Sequence, residues 1–117
     1  MTTCKRGEIW TVNFNPGRGS EVKGFRPALI IQNDIGNQYA ATTIVAAITT
    51  TIKKYPVTVI IPDRVGGLKE TSIVNLAQIL TIDKGRLIKK LGSVEKDRMD
   101  EVDGAIKVSL GIAGSTG

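Results

Sequence analysis

A chain of 117 residues with 41% hydrophobic and 23% charged side chains has the size and composition of one globular domain, long enough to bury a core without disulfides or structural metal. With no histidine and one cysteine, it excludes a structural zinc site, an internal disulfide and acid–base chemistry resting on imidazole. Its net charge of +5 is concentrated before Ser93, where 13 basic residues stand against 6 acidic ones, and a basic body favours a polyanionic partner.

The opening segment MTTCKRGEIW lacks the apolar centre of a signal peptide, and no apolar run approaches the roughly 20 residues that span a bilayer; a soluble, cytoplasmic protein is expected, with no membrane partner. GEIWTVNF has the composition of a first strand, and NPGRGSEVKG after it is a long loop rich in glycine and turn formers. RPALIIQN predicts a second strand, TTIVAAITT a third, PVTVIIP a fourth bracketed by prolines, and TSIVNLAQILTI a fifth, long enough to bend or carry a bulge. DKGRLIKKLG reads as a short helical turn. Ser93 is then the expected N-cap, with Glu95 in the first turn, of a helix whose Met99, Val102, Ile106 and Leu110 recur at spacings of three to four and belong against the sheet. Strands without crossover helices, closed by a C-terminal helix, predict a mainly β fold: a small, half-open antiparallel β-barrel. Residues 1–112 form the one expected domain, and 113–117 (AGSTG) a flexible end.

Pro27 restricts the residue before it to extended backbone, so Arg26 leaves the second strand at a defined angle beside the glycine loop. A guanidinium there matches a phosphate with a planar fork of donors; it equally suits a salt bridge at a strand end, and both readings stand at this point. Ser20, Glu21 and Lys23 lie in the adjacent loop, while Thr49 ends an apolar strand just before the cations Lys53 and Lys54. A hydroxyl at a strand end holds a phosphate oxygen or simply occupies an exposed β position. Asn33 and Gln78 offer amide edges suited to reading bases or to bonding backbone. Asp97, Asp100 and Glu101 share helical spacing, as a solvated face or as the one place for magnesium. No metal or other cofactor is expected, and Cys4 is read as an incidental thiol.

The segment KRGEIWTVNFNPGRGSEVKGFRPALIIQNDIGN, followed by TTIVAAITT and NLAQILTIDKGRLIKKLG, resembles the MazF, PemK and Kid group of bacterial toxins over nearly the whole chain. That resemblance implies a small homodimeric barrel that cuts single-stranded RNA, chiefly mRNA, at short sequences and without metal. It also implies inhibition by a MazE-type antitoxin whose acidic tail occupies the RNA groove. The family's catalytic arginine falls on Arg26 and its catalytic threonine on Thr49. Ser20 and Glu21 fall on the segment that folds over the RNA, and Gln78 on the strand lining the groove. Relatives that use a histidine differ from this chain, and Ala77 stands where close relatives carry an acidic residue. Two alternatives come from other classes. One is a gyrase-poisoning toxin of the CcdB type, whose family carries a C-terminal tryptophan where this chain ends in GIAGSTG; the other is a non-catalytic RNA-binding barrel.

Overall fold

Six strands, rather than the expected five, form one antiparallel sheet in the computed structural model, which describes residues 3–53 and 55–112. They are β1 (Glu8–Asn13), β2 (Phe25–Ile30), β3 (Thr42–Thr49), β4 (Thr58–Ile61), β5 (Ser72–Asp83) and β6 (Leu87–Ser93), with helices α1 (Asp34–Tyr39) and α2 (Lys96–Leu110). The spatial order is β4-β5-β3-β2-β1-β6, so β4 and β6 are the edges and the sheet does not close. The anticipated tail, residues 113–117, and Lys54 lie outside the described residues.

Alternation along the strands splits the apolar residues between two cores. On one face Ile9, Leu29, Ala46, Ile48, Val74 and Leu76 pack under Met99, Val102 and Ala105 of α2. On the other, Trp10, Val12, Phe14, Ala28, Ile30, Val45, Ile82 and Leu87 form a second cluster, partly roofed by Val22 of the glycine loop. The stripe of α2 therefore differs from the expected one. Ala105 takes the buried place, Ile106 flanks it, and Leu110 is 61% exposed.

Two further expectations are corrected. LIKKLGS is strand β6 and not a helical turn; only Lys84–Arg86 before it make a single 3-10 turn, capped by the Asp83 carboxylate. Ser93 consequently ends β6, and α2 starts after Glu95, whose side chain makes no capping bond. The helix ends at Gly111, which takes φ 68°, while the Ile112 N–H reaches back to the Lys107 carbonyl at 2.9 Å.

Candidate active site

β2 parts company with β3 where the apolar run gives way to Arg26-Pro27. It pairs with β1 along Phe25 to Leu29 but with β3 only from Ala28 to Ile30. The last paired residues are Ala28 and Ala47, and beyond them Arg26 and Thr49 stand on the two diverging strands and line one cleft. The gap between the diverging strands is a cleft of about 220 Å³ lined by Ser20, Glu21, Val22, Lys23, Arg26, Ala47, Ile48, Thr49, Asn75 and Gln78.

The loop of residues 15–24 forms the cleft's outer wall and is tied at neck and tip. At the neck, the Phe14 N–H donates to the Gly24 carbonyl at 2.9 Å and the Gly24 N–H to Asn15 Oδ1 at 2.9 Å. Arg86, just ahead of β6, donates from Nη1 to the carbonyls of Asn13 at 3.0 Å and Asn15 at 2.5 Å. At the tip, Glu21 Oε1 accepts from the Arg18 N–H at 2.7 Å, Lys23 Nζ donates to the Gly19 carbonyl at 3.1 Å, and Gln78 Nε2 donates to the Ser20 carbonyl at 3.3 Å. The limbs of the loop touch at Gly17, where a Cβ would lie 2.6 Å from Lys23 Cβ.

Arg26 donates from Nε to the Lys23 carbonyl at 2.9 Å, which sets the plane of its guanidinium against the loop backbone. Among the described residues its terminal nitrogens have no partner and no carboxylate lies within ion-pair distance, so the salt-bridge reading finds no acceptor. Thr49 Oγ1 accepts from the Thr51 N–H at 3.1 Å, and its hydroxyl proton has no acceptor among the described residues. The cleft thus presents a cationic fork, a hydroxyl donor and one carboxylate, Glu21, on the rim.

Five of the expected residues join Arg26 here: Ser20, Glu21, Lys23, Thr49 and Gln78. Two do not. Asn33 caps α1, accepting from the Gly36 N–H at 2.8 Å, and follows the far end of β2. Lys53 is exposed in the segment after β3, outside the residues lining the cleft.

Asn75 is the one polar lining residue that the sequence reading does not single out. Its place comes from a bulge. Ala47 pairs with Asn75 but Ala46 pairs with Ile79, so Leu76, Ala77 and Gln78 have no partners on β3. The signal available in sequence is a polar residue interrupting the apolar run of SIVNLAQIL.

Other polar clusters lie away from this cleft. A larger cavity of about 840 Å³ is lined by Cys4, Glu8, Trp10, Asn37 and Lys90, among others. There Glu8 accepts from Trp10 Nε1 at 3.0 Å and meets Lys90 Nζ at 3.0 Å. Burial raises the pKa of the Cys4 thiol, which leaves it a poor nucleophile. On α2, Asp100 meets Lys96 at 3.2 Å and Asp103 meets Arg6 at 2.5 Å. Among the described residues no three cysteine or carboxylate side chains gather as a metal site.

Comparison with known proteins places these features in context. The PemK-like, MazF-like toxin family of type II toxin-antitoxin systems matches residues 5–110. Endoribonuclease EndoA of Bacillus subtilis is 44% identical over 110 residues, covering 92% of this chain and 95% of that protein. The crystal structure of MazF from Deinococcus radiodurans superposes with a TM-score of 0.83 at 26% identity, covering 96% of this chain and all of the other. A mycobacterial endoribonuclease solved with its cognate antitoxin gives a TM-score of 0.80 at 25% identity, over 94% of this chain and 97% of that one.

Proposed function

The chain belongs to the PemK-like, MazF-like family of type II toxin-antitoxin toxins, and from that premise we propose that it is an endoribonuclease that cuts single-stranded mRNA without a metal ion. The observation that carries the reading is the Arg26 guanidinium, whose outer nitrogens have no partner among the described residues, in one cleft with Thr49 beside a tied loop. RNA brings its own nucleophile. The 2′-oxygen forms a bond to phosphorus, its proton leaves to a base, and the bond from phosphorus to the 5′-oxygen breaks as that oxygen gains a proton. The products are a 2′,3′-cyclic phosphate, or the 3′-phosphate from its opening, and a 5′-hydroxyl.

A site for this reaction needs to align the 2′-oxygen and stabilise the extra charge on the phosphorane. Arg26 supplies two forked donors to the non-bridging oxygens, and the Thr49 hydroxyl a third. Glu21, the one carboxylate lining the cleft, is assigned as base; Oε1 holds the Arg18 N–H, which leaves Oε2 for the proton. Ser20, Lys23 and Gln78 contact the RNA alongside, and the exposed Lys53 after β3 adds positive charge outside the cleft, whereas Asn33 is left to its capping role on α1. The protein works as a cytoplasmic homodimer. A MazE-type antitoxin inhibits it by laying an acidic segment across the same cations, Lys23 and Arg26, so inhibition and RNA binding exclude each other. The gyrase-poison reading draws no support from the tryptophan, because Trp10 is buried and bonded to Glu8.

The test is incubation of the purified protein with a long single-stranded RNA in excess EDTA, followed by mapping of the cut ends. Discrete cuts with 5′-hydroxyl ends are expected. Cleavage abolished by EDTA and restored by magnesium, or binding with no cuts, overturns the proposal.

A further inference from the structure

We infer that Asn75 reads the base beside the scissile phosphate, as a fixed hydrogen-bond donor paired with Gln78 as a fixed acceptor. This rests on the RNA-cleaving reading above. It follows from how two amides of the β5 bulge are held. The Asn75 side chain accepts from the Ala77 N–H at 3.0 Å. A backbone N–H only donates, so the oxygen of the amide must face it and the NH2 group must point away. The Gln78 side chain meets the Ser20 carbonyl at 3.3 Å. A carbonyl only accepts, so here the NH2 group is engaged and the oxygen is left over. Among the described residues neither Asn75 Nδ2 nor Gln78 Oε1 has a partner, and both residues line the cleft.

The two amides therefore present opposite polarity to the same space. A nucleobase edge has that pattern, with a ring or exocyclic acceptor next to an N–H donor. The platform is rigid, because Asn75 is paired on both sides, with Ala47 of β3 and Thr58 of β4. It is also close to the chemistry. Asn75 stands across from Ala47, one same-face step of about 7 Å from Thr49. A base held there belongs to a nucleotide flanking the phosphate that Arg26 grips.

The experiment is a cut-site profile on a random pool of single-stranded RNA, taken for the parent, Asn75→Asp and Asn75→Ser. Aspartate keeps an oxygen for the Ala77 N–H but turns the free donor into an acceptor. One position of the cut sequence should move to a base that offers a donor there, with the parent sequence cut roughly tenfold to a hundredfold more slowly. Serine keeps an oxygen and drops the donor amide, so the same position should broaden. An unchanged profile in whichever variant folds, by circular dichroism and thermal melting, overturns the assignment while leaving the nuclease reading in place. A parent protein that cuts no RNA removes both.

Discussion

Arg26 is held by a single bond from its inner nitrogen to the loop backbone, and its outer fork is left over. Removing that fork should separate chemistry from folding, because an exposed side chain at a strand start contributes little to either core. Arg26→Ala is expected to lower the single-turnover cleavage rate roughly a hundredfold to a thousandfold, the usual loss for one charged transition-state donor, with a melting temperature close to the parent's. Arg26→Lys should recover little of the rate, since an ammonium cannot span two phosphate oxygens. A variant that folds and cuts within a factor of two or three of the parent would remove Arg26 from the mechanism. This residue was legible in the sequence because its cause is local: the proline after it fixes its backbone. Thr49 was legible for a related reason, as the last residue of an unbroken apolar strand. Asn75 was not, because its place depends on which β5 residue faces Ala47, and that register is set by a bulge rather than by neighbours in the chain.

At the level of elements, the clear readings are strands whose alternation is undisturbed, and the miss is the strand whose alternation is broken twice. β6 pairs Gly92 with Ile9 but Lys90 with Trp10, and Lys89 with Thr11 but Leu87 with Val12, so Leu91 and Ile88 each have no partner on β1. Those two irregularities bring Leu87, Ile88 and Leu91 to the spacing of a helix turn. The helix α1 has six residues, too few for a periodic pattern to show. What secures β6 from outside is the turn Val65–Gly67. Gly67 has φ 82°, and a Cβ built on it would lie 2.0 Å from the Leu91 carbonyl oxygen, a backbone atom that cannot step aside. Gly67→Ala should therefore destabilise the protein by about 2 kcal/mol or more, read as a lower urea midpoint at unchanged slope. A midpoint equal to the parent's would show that this turn does not hold β6.

For the molecule as a whole, two carboxylates tie the N-terminal segment to β1 and α1 and set an acid limit on the fold. Burial pushes the pKa of Glu8 up, but hydrogen bonds from Trp10, the Lys5 N–H and Lys90 outweigh it and hold the group below its ordinary range. Asp34 is lowered chiefly by the Arg6 N–H, with the Asn37 amide adding to it. Both are depressed in the folded state, so their stabilisation is present above the ordinary carboxylate range, near pH 4, and disappears as pH falls through the lower folded values. The variant Glu8→Gln with Asp34→Asn should melt below the parent at neutral pH and converge with it in acid, in thermal midpoints taken across pH; parallel curves would mean the two groups do not govern acid unfolding. The open sheet carries a different consequence at its margins. β4 is four residues long between Pro56 and Pro62, and β6 bears Lys89 and Lys90. Short, proline-bracketed or lysine-bearing edges are poor templates for another strand. A concentrated solution of this chain should accordingly resist cross-β stacking and fibril growth, although its sheet is never sealed into a ring.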